Sequence, residues 1–302
     1  MQALIAAPEG PHGFRFAEVP EPVPGPGQVL VEVRHASINH GEVRHIGFQP
    51  VGGVLGYDAA GYVVQAAGDG TGPGVGERVV AFGAGAWARR AAFDAGSVAV
   101  VPPSLDLAEA AALPLVGITA LRTLRAAGSV LGRRVLITGA SGGVGRMAVQ
   151  LARLGGAHVI ASVGSPERGD GLRELGANEI VVGLDDINAP VDVVLDSVGG
   201  GHLVTAWSLL RPGGSLQSIG WASDEPATFP LNSIFALGAA KTLQSFGDAS
   251  HPGPDLAVLT DLAARGTIIA QIGWRGPWTD LPDAMTALLS RRVMGKAVLN
   301  ID

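Results

Sequence analysis

The sequence predicts an α/β protein with a β-rich first part and a parallel sheet, covered by helices on both faces, beyond it. Three observations predict this: short strands separated by glycine-rich turns up to about Pro103, a strand–turn–helix unit at 134–154, and alternating strand and helix patterns after it. Repeated β-α units place a parallel sheet between two helix layers. The expected strands of this sheet are 134–138, 158–163, 179–182, 191–196, 215–219 and 241–246. The expected helices lie near 143–154, 166–175, 200–210 and 253–265.

The strand–turn–helix unit is the strongest signal in the chain. Its strand, Arg134–Thr138, is short, apolar and β-branched, as expected of a buried parallel strand. The turn that follows consists of Ala140, Ser141, Gly142, Gly143, Val144 and Gly145. Glycines in this context let backbone N–H groups approach a pyrophosphate at the positive end of a helix. We therefore predict a dinucleotide-binding turn, with a purely structural turn as the alternative.

The end of the second strand of that sheet indicates which nucleotide binds. An NAD-selective site usually has a carboxylate there, which holds the ribose 2′-hydroxyl. Here no carboxylate ends the strand, and Ser165 and Arg168 follow it. A hydroxyl and a guanidinium suit a 2′-phosphate, so NADPH is expected rather than NADH. The same residues also fit a capped helix start, with Ser165 as the N-cap and Pro166 at the first helical position.

Composition excludes several kinds of chemistry. The 302 residues contain no cysteine, which excludes disulfides, thiolate nucleophiles and cysteine-ligated metal sites. A net charge of −6 argues against a nucleic-acid partner. No stretch has the apolar length of a membrane helix, and the first residues lack the pattern of a signal peptide. A cytoplasmic protein that acts on a small molecule is expected.

The regions on either side of the parallel sheet have weaker patterns. Strands are expected at 28–33, 59–64, 77–82 and 97–101, and helices at 107–112 and 117–127. The tail from Thr267 is mixed, with a helix expected at 281–291 and a last strand at 296–301.

At this level of detail the chain resembles the medium-chain dehydrogenases/reductases, in their zinc-free, quinone-oxidoreductase-like branch. The resemblance covers nearly the whole length and rests on eight motifs: Ala36–Asn39, Leu55–Gly61, Ala112–Leu121, Gly139–Gly145, Leu175–Ala177, Asp192–Gly200, Leu210–Gly214 and Gly295–Leu299. It implies a GroES-like β-barrel catalytic domain at 1–116, completed by 267–302, and a Rossmann NADPH-binding domain at 117–266. It also implies a homodimer joined through an edge strand near 241–246.

The resemblance also bears on metal chemistry. Zinc-dependent relatives have a cysteine where this chain has Asn39 and a His-Glu pair where it has Tyr57 and Asp58, and the loop of four cysteines is absent. His40, Glu42 and His45 are close in sequence, but such clustering is more typical of a solvated loop. We therefore expect no metal. Without a Lewis acid, conjugate reduction is the favoured chemistry, because the negative charge spreads into an enolate that hydrogen bonds and a proton stabilise.

Two side chains are candidates for that chemistry. Asn39 is predicted to bind the substrate carbonyl or the carboxamide, since an amide both donates and accepts; a turn-forming asparagine is the alternative. Tyr57 is predicted to donate a proton or a hydrogen bond to the enolate, with a buried, hydrogen-bonded core tyrosine as the alternative. His40 is a candidate proton relay.

Further cofactor and substrate contacts are expected at other positions. By resemblance Thr119 lies near the nicotinamide ribose, and strand ends place Ser197, Val198, Gly220, Phe246 and Gly247 at the nucleotide. Trp87, Trp221 and Trp274 are expected to form an aromatic wall for a flat substrate, against ordinary packing.

Three functions follow as expectations. The first is an NADPH-dependent reductase of a quinone or an α,β-unsaturated carbonyl compound. The second is an enoyl reductase on a polyketide or carrier-bound intermediate, with an acyl carrier protein docking on Arg89-Arg90 or Arg291-Arg292. The third is a non-catalytic nucleotide-binding protein.

Overall fold

The computed structural model describes residues 1–10, 12–235 and 237–302. Its strands are β1 (Gln2–Ala6), β2 (Phe14–Glu18), β3 (Gln28–Ile38), β4 (Asp58–Gln65), β5 (Arg78–Phe82), β6 (Arg90–Asp94), β7 (Val98–Val100), β8 (Arg134–Ile137), β9 (His158–Val163), β10 (Glu179–Val182), β11 (Val191–Asp196), β12 (Leu210–Ser218), β13 (Thr242–Ser245), β14 (Ile272–Pro277) and β15 (Lys296–Asn300). Its α-helices are α1 (His40–Arg44), α2 (Leu107–Ala111), α3 (Pro114–Ala126), α4 (Gly143–Leu154), α5 (Gly200–Leu209), α6 (Gly253–Ala264) and α7 (Leu281–Leu289). None of the helices in the described part of the chain has the length and apolar character needed to cross a membrane.

Residues Thr119–Asp248 form a compact unit around the predicted parallel sheet. Its strand order is β10-β9-β8-β11-β12-β13, and every neighbouring pair is parallel. The chain therefore winds outward in both directions from β8 and β11, as predicted, and most expected strands match within one or two residues. The carboxyl ends of β8 and β11 adjoin where the order reverses, which is where open α/β sheets bind ligands.

One helix predicted for this unit is wrong. The segment expected as a helix at 166–175 forms only a 3-10 helix at Pro166–Gly169, followed by turns. Gly171 has a φ of +76°, which an α-helix does not accommodate, and Gly169 further weakens the helical pattern. The other differences are at boundaries: β12 begins at Leu210, five residues earlier than expected.

Residues Met1–Ile118 and Ala249–Asp302 form the second compact unit. Its larger sheet has the order β14-β15-β3-β4-β5-β7, and β6 also pairs with β3. The last strand, β15, pairs antiparallel with β3, so the two ends of the chain share one sheet, as expected. The core of this unit gathers apolar side chains of β3, β4, β5, β15 and α7.

Several elements of this unit were not expected. These are β1, β2, β6, β14 and the short helix α1. The helix α3 begins at Pro114 rather than Gly117, since proline suits the first helical position. α6 packs against β7 here. The compact units divide the chain after Ile118 and Asp248, whereas the domain boundaries expected above lie at 116/117 and 266/267 and stay a prediction.

Candidate functional site

A buried polar cluster forms where β3 ends and β4 and β15 begin. Asp58, the first residue of β4, has no exposed surface. Its Oδ2 accepts hydrogen bonds from Ser37 Oγ at 2.8 Å, Asn39 Nδ2 at 2.9 Å and Lys296 Nζ at 3.0 Å. Its Oδ1 accepts one from the Leu115 backbone N–H at 3.1 Å, near the start of α3. The carboxylate is therefore held by four donors.

Lys296 is the cation of this cluster and is 3% exposed. Its ammonium donates to Asp58, to the Ile38 carbonyl at 3.1 Å and to Asn39 Oδ1 at 2.5 Å. These three bonds use all three N–H donors of the lysine. A buried ion pair is tolerated only when its remaining hydrogen-bonding groups are satisfied, and this pair meets that condition.

A second carboxyl group lies beside the ion pair. Glu42 Oε2 accepts a 2.6 Å hydrogen bond from the Asn39 backbone N–H, which fixes the start of α1. Glu42 Oε1 is buried and has no hydrogen-bond partner among the described residues. Burial and the neighbouring Asp58 charge raise the pKa of Glu42 to about 8, against the opposing effect of Lys296. The raised pKa favours the protonated form of Glu42 beside the Asp58–Lys296 ion pair.

Glu42 lines a small cavity together with Gln49, Gly56, Tyr57 and Trp87. The cavity measures about 20 Å³, which is room for one water molecule. Gly56 has a φ of +89°, and a Cβ there would lie 2.1 Å from the Trp87 ring. Only glycine fits this position, because the indole packs directly on its backbone.

The two predicted catalytic side chains have different surroundings. The Asn39 amide is engaged with Asp58 and Lys296, so it links the cluster, and its binding of a substrate carbonyl stays a prediction. Tyr57 is half-buried and stacks on Phe82 with ring centroids 5.9 Å apart. Its hydroxyl has no hydrogen-bond partner in the described part of the chain, so it is free to act as a donor. That role also stays a prediction.

Three further residues of the predicted substrate pocket, His40, Trp87 and Trp274, lie in the same compact unit as the Asp58–Lys296 cluster. His40 is the first residue of α1, and burial, followed by the charge of Arg44, lowers its pKa. Trp87 is 1% exposed, and its N–H donates to the Ser37 carbonyl. Trp274 is half-buried and packs against the same apolar core. Both tryptophans take part in apolar packing, and their predicted role as an aromatic wall for a substrate stays a prediction.

The predicted nucleotide-binding turn joins β8 to α4. Ala140 N–H donates to the Ser162 carbonyl of β9, and Gly142 N–H donates to the Gly139 carbonyl, both at 3.0 Å. A Cβ on Gly145 would lie 2.4 Å from the Gly139 oxygen. The helix therefore packs directly on the turn, in which Ser141 is buried and Gly143 and Val144 are partly exposed. This close approach fits a dinucleotide pyrophosphate.

Arg146, in the first turn of α4, is a contact that the sequence analysis missed. It is 4% exposed; its Nε donates to the Ser141 carbonyl at 3.2 Å and its Nη2 to the Asp170 carbonyl at 2.6 Å. It therefore ties the glycine-rich turn to the segment just after the 3-10 helix that carries Arg168. The sequence signal that could have indicated this contact is an arginine at a helical position among apolar neighbours.

Ser165 and Arg168 lie just beyond β9, as predicted. A backbone hydrogen bond, followed by one from the half-buried Ser165 side chain, lowers the pKa of Glu167. The Arg168 guanidinium lies beside Gly164: its Nη1 is 3.6 Å from where a Cβ of that glycine would be. Ser165 is the N-cap of the 3-10 helix Pro166–Gly169 and Pro166 is its first residue, so the capped-start alternative holds for a 3-10 helix in place of an α-helix. Contact of Ser165 and Arg168 with a 2′-phosphate stays a prediction.

The ends of β11 and β12 bring four more predicted residues together. Asp196 is buried and organises the turn: it accepts hydrogen bonds from Thr138 Oγ1 at 2.6 Å and from the Gly199 N–H at 2.8 Å. Burial raises its pKa. Around it lie Ser197, Val198, Gly220 and Trp221. The Trp221 ring, 45% exposed, packs on Gly199, whose φ is +71°.

The remaining predicted contacts are spread along the same unit. Thr119 is buried within α3, and its carbonyl accepts a hydrogen bond from Thr123 Oγ1. Phe246 follows β13 and its N–H donates to Ser218, while Gly247 lies next to open space. Their contact with a nucleotide stays a prediction.

The side chains present do not fit a zinc site. Among the described residues no group of three or more His, Cys, Asp or Glu side chains converges on one point. At the positions where the resemblance places zinc ligands, Asn39 and Asp58 bind Lys296 instead.

Comparison with known protein families identifies both units. The description "Alcohol dehydrogenase GroES-like domain" matches residues 25–103, and "Zinc-binding dehydrogenase" matches 143–259. The chain is 35% identical over 228 residues to the chloroplastic quinone-oxidoreductase QR1 of Triphysaria versicolor, covering 67% of this chain and 68% of that protein. The chain belongs to the quinone-oxidoreductase-like medium-chain dehydrogenases/reductases. The predicted family and fold class, a GroES-like domain with a Rossmann-like parallel sheet, are thereby confirmed.

Two further similarities bear on function. The chain is 38% identical over 206 residues to the spectinabilin polyketide synthase protein NorB of Streptomyces orinoci, covering 65% of this chain and 9% of that protein. It thus spans only a small part of the polyketide synthases that it matches. A mycobacterial protein solved in complex with NADPH is 25% identical, with a TM-score of 0.89 and 99% of each chain covered.

Removing the buried cation is expected to destabilise the unit formed by Met1–Ile118 and Ala249–Asp302 strongly. Lys296→Met leaves the Asp58 carboxylate buried without its partner, a change that costs about 3–5 kcal/mol. Urea unfolding measures the loss. Lys241→Met is the matched control, because the Lys241 ammonium contacts the carbonyl and the indole ring of Trp207. Equal losses in the two variants would contradict the assigned role of the ion pair.

The protonation of Glu42 predicts a pH-dependent stability. Folding raises the pKa of Glu42 from 4.5 to about 8, so the folded state holds the proton more tightly than the unfolded state. The contribution of Glu42 to the free energy of unfolding is therefore present in full below 4.5, its pKa in the unfolded chain. That contribution is lost as the pH rises through about 8, its pKa in the folded protein.

Thermal unfolding across this range tests the sign. The parent protein is expected to lose on the order of 5 °C relative to Glu42→Gln as the pH rises through this window. Glu174→Gln, at an exposed carboxylate, is expected to follow the parent. Parallel curves for Glu42→Gln and the parent would show that Glu42 is ionised in the folded protein.

Proposed function

We propose that the protein is an NADPH-dependent reductase of quinones or α,β-unsaturated carbonyl compounds. The observation that carries this proposal is the turn between β8 and α4, where a Cβ on Gly145 would meet the Gly139 carbonyl and where Gly143 and Val144, the first residues of the helix, are partly exposed. The likeness to a quinone oxidoreductase and to a protein solved with NADPH supports it.

The specificity for NADPH rests on the residues that follow β9. Arg168 supplies a guanidinium there and Ser165 a hydroxyl, and the strand itself does not end in a carboxylate that would select the ribose 2′-hydroxyl of NADH. Arg146 stabilises this segment, because its guanidinium donates a hydrogen bond to the Asp170 carbonyl just after the 3-10 helix.

A bound nicotinamide nucleotide supplies the hydride. The side chains of this protein bind the acceptor and stabilise the negative charge that develops on its carbonyl oxygen. The unpartnered hydroxyl of Tyr57 is suited to hydrogen bond to that oxygen or to protonate the enolate. We further propose that the reaction is independent of zinc, because Asn39 and Asp58 already hold Lys296.

A second candidate function is enoyl reduction on a carrier-bound intermediate. The likeness to a segment of polyketide synthases favours it. Comparing a free thioester with the same acyl group on an acyl carrier protein separates the two candidates: a large gain in kcat/KM on the carrier supports the second.

Cofactor selectivity is expected to depend on Arg168. Arg168→Ala should weaken NADPH binding by about tenfold or more and leave NADH binding nearly unchanged, since only NADPH has the 2′-phosphate. Titration of both nucleotides measures this. Arg173→Ala is the matched control, because Arg173 is exposed and bonds to the Asn178 carbonyl. Equal affinities of the parent protein for NADPH and NADH would contradict the proposal.

Turnover is expected to depend on the Tyr57 hydroxyl. Tyr57→Phe should lower kcat for an enone by about a hundredfold, the usual effect of losing one positioned donor, while the Kd for NADPH stays unchanged. Tyr62→Phe is the control, because Tyr62 is the chain's other tyrosine and lies on β4 away from the cavity. NADPH oxidation with enones, quinones and simple alcohols as a panel measures the reaction class. Efficient alcohol oxidation with no activity on enones or quinones would refute the proposed function.

We also propose a homodimer joined through β13. This strand is at one edge of the parallel sheet, and its four residues are all exposed. An unpaired edge is a template for a second copy of the same strand. Leu243→Arg is expected to give a monomer in sedimentation experiments, whereas Val182→Arg, at the opposite edge strand β10, should leave the dimer intact. A monomeric parent protein at micromolar concentration would contradict this proposal.

A further inference from the structure

The proton that completes a conjugate reduction has to be replaced after each turnover. Hydride addition forms one C–H bond and leaves an enolate; a second C–H bond forms when the enolate takes a proton. If Tyr57 gives that proton, its O–H bond breaks and a phenolate remains. The next cycle requires a group that returns the proton.

Glu42 is placed to be that group. It lines the same cavity as Tyr57, and its Oε1 is buried without a hydrogen-bond partner among the described residues. The other carboxyl oxygen is committed to the Asn39 N–H, so the free oxygen is the one that carries the proton. The cavity has room for one water, which needs polar partners, and Glu42, Tyr57 and Gln49 all line it.

We propose that Glu42 is the proton reserve of the site: it returns a proton to the Tyr57 hydroxyl through the cavity that the two side chains share. This inference rests on the proposed function. In the step, the O–H bond of the Glu42 carboxyl group breaks and that of Tyr57 forms, either directly or through one water. Glu42 becomes a carboxylate and regains its proton from solvent, so no oxidant or reductant is needed.

The electrostatics of the cluster support both states of Glu42. Lys296 pairs with Asp58, and two adjacent buried carboxyl groups such as Asp58 and Glu42 resist ionising together. A carboxyl group with a pKa of about 8 is still a stronger acid than an ordinary phenol, so transfer to a phenolate is downhill. Lys296 then stabilises the carboxylate that forms, since its charge opposes the rise in the Glu42 pKa.

Several other charged side chains lie on α1 or on the elements near it. His40, Arg44 and His45 lie on α1 or at its end, and α7, which packs against α1, carries Asp283 and is followed by Arg291. The 3-10 helix at Ile46–Phe48 carries no titratable side chain. Of the charged side chains, only Asp58 and Lys296 act on the Glu42 carboxyl group.

A double-mutant cycle on the full-length protein tests the inference. Glu42→Gln keeps the volume and an acceptor for the Asn39 N–H but has no acidic proton. With NADPH and an enone, it is expected to lower kcat by roughly tenfold or more, and to remove the fall in kcat that the parent shows as pH rises through about 8. In a Tyr57→Phe background the same change is expected to have no further effect, because Glu42 acts through Tyr57. Glu174→Gln is the control in both backgrounds.

Infrared spectroscopy gives a readout that does not depend on activity. The parent at neutral pH is expected to show the carbonyl stretch of a buried, protonated carboxylic acid that is absent in Glu42→Gln. A missing band, or equal effects of Glu42→Gln with and without the Tyr57 hydroxyl, would overturn this inference while the reductase activity stands. A parent protein that reduces no acceptor would overturn the proposed function, and this inference with it. If Glu42→Gln does not fold, the pH dependence of kcat of the parent protein tests the inference. A parent kcat that is constant across the pH range around 8 would overturn it.

Discussion

The ion pair between Asp58 and Lys296 is the interaction on which the unit formed by Met1–Ile118 and Ala249–Asp302 depends most. It connects the start of β4 to the start of β15 across 238 positions of sequence, and through Leu115 N–H it also holds the beginning of α3. Removing two charges from water is unfavourable, so the pair is stable only because every donor of Lys296 and both oxygens of Asp58 are hydrogen bonded. A strand that slipped by one position would leave a buried charge unpaired. The pair therefore specifies the register in which the last strand joins β3.

The same pair determines the acid–base state of its surroundings. Lys296 balances one carboxylate, and Asp58 takes that place because it receives four hydrogen bonds, whereas Glu42 receives one. Glu42 is consequently the carboxyl group that remains protonated. The ion pair that stabilises the fold thus also influences the protonation state of Glu42, which lines the same cavity as Tyr57. The structural and chemical roles of the cluster cannot be separated by a single substitution, which is why double-mutant cycles are needed.

The parts of the structure that the sequence predicts well are those fixed by local pattern. The nucleotide turn lies within one strand–turn–helix unit, so α4 was expected with the bounds that it has, 143–154. Lys296 and Arg146 were not expected as site residues, because their roles depend on partners that folding brings near: Asp58 for the first and the Asp170 carbonyl for the second. Glu42 was read as part of a solvated loop for the same reason. Its burial comes from elements distant in sequence, which no local pattern around Glu42 indicates.

The arrangement suggests how a scaffold shared with zinc-dependent dehydrogenases serves a different reaction. Alcohol–ketone exchange needs a group that stabilises an alkoxide, which a metal does well. An enolate carries its charge over more atoms, so it needs a smaller electrostatic contribution and, in addition, a proton at carbon. The residues at the equivalent positions of this chain, Asn39 and Asp58, hold an ammonium group rather than a metal, and next to them they keep one carboxyl group protonated. If the proposed function holds, the residues at the ligand positions supply a proton where a zinc-dependent relative supplies a Lewis acid, which suits an acceptor whose reduction ends in protonation of an enolate.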